Sequence, residues 1–384
     1  MNETHILFSK FNSVFGKNST PIRHFSAPAR INIIGEHVDY VGGIVLPAAI
    51  NFSIQVLIQR NDTDDFILYS EDFQQSTKVG RPFQNSKEYP WSDYIVGVIS
   101  ELEKKGHKIP GFNLLINGNI PQGAGLSSSA ALEVVVGYAI ANLFSLNLSR
   151  EDIALIGQAA ENHFVGTNCG IMDQFIIATG KKDFCISLNT NSLKYQYHKF
   201  ELGEFEFYLI NSNVKHSLKD SAYNQRRQEC ESALSKIQKL NSEVQNLYSF
   251  DIDTKDLYPF SNDEMKRIQH ITSERKRTDT IITSLTNGDF AKVGTLLFEC
   301  HWSLSKDYEV SCEETDFIVS FLQNKGALGA RMIGGGFGGC VLVLDKKENF
   351  SVIGSELEKN YKQKFGHGVS YYQFTISDGV KELI

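Results

Sequence analysis

The chain has 384 residues, 41% hydrophobic and 22% charged, with a formal net charge of -7. This is globular composition with material for a large core and, by length, two domains. The acidic balance and the lack of a long Lys/Arg run speak against a nucleic-acid partner. Residues 1–20 are too polar for a secretory signal, and no apolar run approaches the roughly 20 residues that span a bilayer. No membrane association is therefore expected. Six scattered cysteines (Cys169, Cys185, Cys230, Cys300, Cys312 and Cys340) form no C-x-x-C pair. They read as reduced, mostly buried thiols of a cytoplasmic protein, with neither a disulfide framework nor metal-ligand spacing.

In chain order, the first informative stretch is SAPARINIIGEHVDYVGGIVLPAAI, residues 26–50. Its flanks are apolar and β-like, yet it carries Arg30, Glu36, His37 and Asp39 between them. Residues 52–69 predict two short strands around a polar NDTDD turn. Residues 91–106 have apolar positions at helical spacing and close on Gly106. A strand at GFNLLINGNIP is followed by a helix, from SSSAALEVV onward, that is apolar nearly all round and so predicted to lie between layers. SREDIALIGQAAENHFVG predicts a helix capped by Ser149 with acidic residues in its first turn. The second half predicts strands at FEFYLINS, GCVLVLD and YYQFTI. Helices are predicted over about 220–240, 262–285, 289–304 and 313–324. The pattern is α+β, with a division into 1–195 and 196–384 where helices give way to strands.

Two glycine-rich motifs stand out. PQGAGLSSSAALEVV, residues 121–135, joins a strand to the buried helix. Free N–H groups at a helix N-terminus suit a phosphate, and serine hydroxyls can add hydrogen bonds or hold a phosphate-borne metal. A plain glycine turn with a serine cap has the same local pattern. No Walker A sequence occurs, which excludes a P-loop nucleoside triphosphatase. In ARMIGGGFGGCVLVL, residues 330–344, Gly334, Gly336 and Gly339 match G-x-G-x-x-G, but a strand follows where a dinucleotide site needs a helix. Glycines this dense suit a backbone that closely approaches another segment or a ligand.

Together, RINIIGEHVDYVGGIVLPAAI, PQGAGLSSSAALEVV and GARMIGGGFGGCVLVL resemble the three motifs of the GHMP sugar and metabolite kinases, and within them the galactokinases. AENHFVGTNCGIMDQFI and NSNVKHSLKDSAYNQRRQECE (211–231) extend the resemblance, which runs in order from about residue 8 to the C-terminus. It implies an amino-terminal mixed sheet with helices, like the ribosomal-protein-S5-like half of those kinases. A carboxy-terminal domain of antiparallel strands and helices would follow, with the active site in the cleft between.

It also implies ATP-dependent phosphorylation of D-galactose at C1, with Mg²⁺ as cofactor, ATP as co-substrate and a monomeric enzyme. By resemblance, Glu36 and His37 would face the sugar's 6-hydroxyl and Asp39 its 3- and 4-hydroxyls. Val38, Gly170 and Tyr223 would complete the sugar site. Asp173 would be the general base and Arg30 its partner, stabilising charge on the transferring phosphoryl group. Gly123, Ala124, Gly125, Leu126, Ser127, Ser128 and Ser129 would cradle the phosphates, Ser70 would touch the nucleotide, and Ser129 and Glu161 would hold the metal. Each charged residue alone could equally be a turn or helix-face charge, and Arg30 with Asp173 a structural ion pair. Three departures from the family pattern occur. Ala29 stands where glycine is usual, Val38 where threonine is common, and VGG where an asparagine turn is common. A kinase for N-acetylgalactosamine or another sugar would share these motifs. A catalytically silent galactose sensor would have a damaged phosphate motif, and GLSSSAA is intact.

Overall fold

A computed structural model describes residues 3–214 and 219–383; of the segment 211–231, residues 215–218 lie outside the described residues. The apolar flanks of the 26–50 stretch become strands. Helix α1 (Glu3–Phe15) leads into β1 (Arg23–Asn32), followed by β2 (Ile44–Val45), β3 (Pro47–Arg60), β4 (Phe66–Ser70) and β5 (Gln75–Val79). Then come α2 (Trp91–Lys104), β6 (Phe112–Gly118), α3 (Ser128–Leu143), α4 (Arg150–Ala160) and α5 (Met172–Thr179). Strands β7 (Phe184–Asn189), β8 (Tyr195–Lys199) and β9 (Phe205–Asn211) precede α6 (Lys219–Leu240), α7 (Asn262–Asn287), α8 (Phe290–Lys306) and α9 (Glu313–Asn324). The chain closes with β10 (Gly329–Met332), β11 (Cys340–Lys346), α10 (Lys347–Phe365), β12 (Ser370–Gln373) and β13 (Lys381–Glu382).

Three sheets result, ordered β13-β1-β3-β6-β4-β5, β10-β11-β9-β12 and β2-β7-β8. Every pairing is antiparallel except β4 with β6, so the first sheet is mixed. Helix α3 packs on β1 and β3 and is buried along most of its length, as its all-round apolar sequence requires. Its one charge, Glu133, is fully buried. One large apolar cluster runs from Phe25 in β1 through Leu297 in α8 to Val380 and joins the two halves, while smaller clusters lie around Ile318 and Tyr361 in the second half and around Phe11 in α1. All six cysteines are free, four of them buried.

Two local features set up the site. Pro28 lacks an N–H to give the ladder, and the β1–β3 register slips between Pro28 and Ala29. Beyond this bulge the Arg30 N–H donates to the Leu126 carbonyl at 3.4 Å, joining β1 to the glycine-rich loop before α3. Helix α4 has the expected Ser149 cap, a capping box completed by Asp152. It ends at Ala160, and Glu161–Val165 continue as a π-helical turn where an unbroken α-helix was expected. Such turns re-aim side chains and are common at functional sites.

Candidate active site

Arg30 projects from β1 with its guanidinium buried. Its Nε and Nη2 donate to Asp173 Oδ1 and Oδ2 at 2.6 and 2.8 Å, and its Nη1 donates to the Gly125 carbonyl at 2.8 Å. A bidentate, charge-assisted pair of this kind fixes orientation as well as charge. Asp173 sits in the first turn of α5, where the helix dipole favours an anion. Ser127 also donates its hydroxyl to Asp173 Oδ2. Ser127 occupies the N-cap position of α3 with φ +63° and makes no capping bond. The N-terminal N–H groups of α3 thus have no side-chain acceptor at that position, an arrangement suited to an anion.

These residues line a cleft of about 520 Å³. Its wall includes Arg30, Glu36, His37, Asp39, Gly123, Gly125, Leu126, Ser127, Ser128, Ser129, Glu161, Gly170, Asp173 and Tyr223. Three expected residues lie off this wall. The Val38 side chain is fully buried, with its Cβ 2.6 Å from where a Gly43 Cβ would stand, and its carbonyl already accepts from Val41 and Gly43. Ala124 is buried behind the loop. Ser70 lines a neighbouring, more apolar pocket of about 220 Å³ with Phe73, Trp91 and Tyr94, which shares Ser128 and Ser129 with the main cleft.

At one end of the cleft are three ionisable groups. Asp39 has its pKa pushed up to about 7 by burial and by the charges of Asp173 and Glu36. Gly170 packs directly on it, and a Cβ there would lie 1.9 Å from Asp39 Oδ2. His37 has a left-handed backbone, φ +59°, and burial holds its pKa well below the usual value, so the ring is neutral at pH 7. Its Nδ1 is 2.9 Å from the Tyr40 hydroxyl, which is 2.7 Å from that of Tyr308. His37 Nε2 is buried without a partner among the described residues, and the ring packs against Tyr223 with centroids 5.6 Å apart. Burial raises the Glu36 pKa, opposed by Arg331 and Arg30.

Elsewhere on the cleft wall, Glu161 Oε2 accepts from Gln174 Nε2 at 2.8 Å, and the same nitrogen donates to Glu133 Oε2 at 2.9 Å. Burial raises the Glu161 pKa, while hydrogen bonds from the Cys169 thiol, Ser129 and Gln174 pull it down. Ser129 and Glu161 line the same cleft, a hydroxyl and a carboxylate that make a hard-oxygen pair fitting Mg²⁺. The third glycine-rich motif closes the site from the second half. A Cβ on Gly334 (φ +78°) would lie 3.0 Å from the Gly125 carbonyl, and one on Gly336 (φ +84°) 2.2 Å from that of Val310. These glycines let one loop lie against the other.

Family models match this chain in three places: a galactokinase galactose-binding signature over 9–60, the GHMP kinase N-terminal domain over 93–181 and the GHMP kinase C-terminal domain over 281–363. The galactokinase of Thermosipho africanus is 46% identical over 93% of this chain and 99% of its own length. That of Clostridium acetobutylicum is 38% identical over the whole of both chains. The chain belongs to the galactokinase family. The crystal structure of Lactococcus lactis galactokinase complexed with galactose superposes with a TM-score of 0.94 at 36% identity, over 99% of this chain and all of that one. Methanococcus jannaschii mevalonate kinase, at 20% identity and a TM-score of 0.67, shares the fold. The two-domain GHMP kinase architecture expected for the family is the one observed.

Four buried residues of this family member carried no signal as site residues in the sequence: Glu133, Gln174, Glu274 and Arg331. Gln174 lies beside Asp173 in GIMDQ, and Arg331 lies inside the third motif. Their partners become visible only in the fold. Gly170→Ala provides a direct check of the site's packing. The added methyl must displace Asp39 or the 169–171 backbone, so a destabilisation of about 1–3 kcal/mol in urea titration is expected. Unchanged stability would show that the contact is loose.

Proposed function

We propose that this protein transfers the terminal phosphoryl group of ATP to the C1 hydroxyl of D-galactose, giving galactose 1-phosphate and ADP. The observation that carries this reading is the Arg30–Asp173 pair, which stands between the Glu36–His37–Asp39 end of the cleft and the 123–129 loop. Galactose is placed at the first end, with Glu36 and His37 toward O6, Asp39 toward O3 and O4, and Gly170 and Tyr223 beside it. Val38 contributes through the segment it anchors. The phosphates lie on Gly123, Ala124, Gly125, Leu126, Ser127, Ser128 and Ser129. The nucleoside occupies the adjacent pocket with Ser70 and Trp91.

In the reaction, the C1 oxygen forms a bond to the terminal phosphorus as the bond to the ADP oxygen breaks, and the hydroxyl proton passes to Asp173. Arg30 holds Asp173 in place and adds positive charge where the transferring group becomes more negative. Ser129 and Glu161 would hold Mg²⁺, which when bound neutralises phosphate charge. The enzyme is read as a cytoplasmic monomer divided near residue 195. Six free thiols support that location, and no helix among the described residues is long and apolar enough to cross a membrane.

The decisive assay is ATP turnover against a panel of hexoses, with and without Mg²⁺, with NMR identification of the product. Galactose should exceed glucose by at least ~100-fold in kcat/KM, because the wrong epimer leaves buried polar groups unpaired. Comparable turnover of N-acetylgalactosamine would move the assignment to that sugar, and no turnover with any hexose would defeat it.

Asp39 adds a pH signature. Sugar hydroxyls donate to its ionised form, which is the minor form below a pKa of about 7. Galactose affinity should hold above that pH and weaken by about tenfold between pH 8 and pH 6. Calorimetry across this range should show the slope in the wild type and lose it in Asp39→Asn. A flat wild-type profile would remove Asp39 as the acceptor.

A further inference from the structure

Arg331 lies in β10, in the second half of the chain, and is fully buried. A guanidinium without water must find its acceptors in the protein. Arg331 finds three of them in backbone carbonyls. Its Nε donates to Ile33 at 2.9 Å, its Nη1 to Met332 at 3.0 Å, and its Nη2 to Asn32. The carbonyls of Asn32 and Ile33 belong to the chain that runs directly into Glu36. The guanidinium plane is thus set by the backbone, and Glu36 Oε2 docks on its Nη1 at 2.8 Å. Asn32 Nδ2 approaches the same oxygen at 3.5 Å. Glu36 lines the cleft, and its Oε1 has no hydrogen-bond partner among the described residues.

The backbone of Glu36 is gripped independently by α7. Glu274 Oε1 accepts the N–H groups of Gly35 and Glu36 at 2.9 and 3.0 Å, and His270 Nε2 lies 3.0 Å from the Glu36 carbonyl. The Gly35–Glu36 peptide is therefore held from α7 as well, and Arg331, besides its bonds to the Asn32 and Ile33 carbonyls, adds the orientation and charge balance of the carboxylate. Arg331 reaches three carbonyls and a carboxylate at once because its donors fan out in a rigid plane, which the single nitrogen of a lysine cannot reproduce.

We propose that Arg331 is a positioning residue that aims Glu36 at the sugar's exocyclic hydroxymethyl group and so sets selectivity at carbon 6. The proposal rests on the reading of Glu36 given above. It assigns part of sugar recognition to a residue of the third glycine-rich motif, nearly 300 residues from the side chain it directs.

The test compares galactose with 6-deoxygalactose in the wild type, Glu36→Gln, Arg331→Met and Arg331→Lys, with melting temperatures measured alongside. Both Glu36→Gln and Arg331→Met should shrink the galactose to 6-deoxygalactose ratio of kcat/KM by about tenfold or more. The loss should fall mainly on the KM for galactose and leave the KM for Mg-ATP unmoved. Arg331→Lys should recover part of the ratio. If Glu36→Gln shrinks the ratio and Arg331→Met slows both sugars equally, Arg331 is only structural and the proposal fails. A ratio that Glu36→Gln leaves intact removes Glu36 from this hydroxyl, and the proposal falls with that reading. Should Arg331→Met not fold, Arg331→Lys decides: a reduced ratio with a melting temperature near the wild type supports the proposal, and an unchanged ratio overturns it.

Discussion

The paired hydrogen bonds between Arg30 and Asp173 are the interaction on which the rest of the site depends. They join β1 to the first turn of α5, and through the Gly125 carbonyl and the Ser127 hydroxyl they also hold the loop that opens α3. Burying a guanidinium costs several kcal/mol unless each donor is met, and breaking such a pair from one side strands the other charge. Arg30 is met at Asp173 and Gly125, so the cleft keeps a fixed cation beside a carboxylate that remains partly open to solvent. A structural ion pair would be content with full burial. This one faces a cleft lined with further ionisable groups.

A second constraint comes from the other half of the chain. Glu274, His270 and Arg331 grip the segment from Asn32 to Glu36. Burial alone would raise the Glu274 pKa, but Arg277, His270 and Arg331 outweigh it and bring it to about 2, so Glu274 remains an acceptor for the Gly35 and Glu36 N–H groups across the pH range of use. The 334–339 loop meanwhile backs onto the 123–125 loop. The wall of the cleft, at Glu36 and at the 123–125 loop alike, is thus assembled from residues of the two halves.

Much of this was legible in the sequence where residue chemistry conflicts with its surroundings. Arg30, Glu36, His37 and Asp39 stand out because their flanks are apolar, and the serine triplet because it opens an apolar helix. The 334–339 glycines suggested close backbone approach, and the structure shows what they approach. Ser127 reads as a helix cap from its position, but its left-handed backbone turns the hydroxyl to Asp173. The π-helical turn at Glu161 leaves no periodic trace. The returning strand Lys381–Glu382 is two residues long and defined by its partner Ser26 and Phe25, not by its own pattern. Glu274 and Arg331 read as ordinary charges because their partners lie 238 to 299 residues away. Helix α10 does not stand out from its charged surroundings in the sequence, since only a few of its positions, such as Ile353, Leu357 and Tyr361, face the core.

The account's central claim is that Arg30 and Asp173 act as one unit in the chemical step. A double-mutant cycle on kcat, using Arg30→Met, Asp173→Asn and the combination, tests it most directly. Residues that act together are strongly non-additive, so the double variant should be about as slow as the slower single one. If the two losses instead multiply, with galactose and Mg-ATP affinities retained, the residues contribute separately and the pair is not the unit described here.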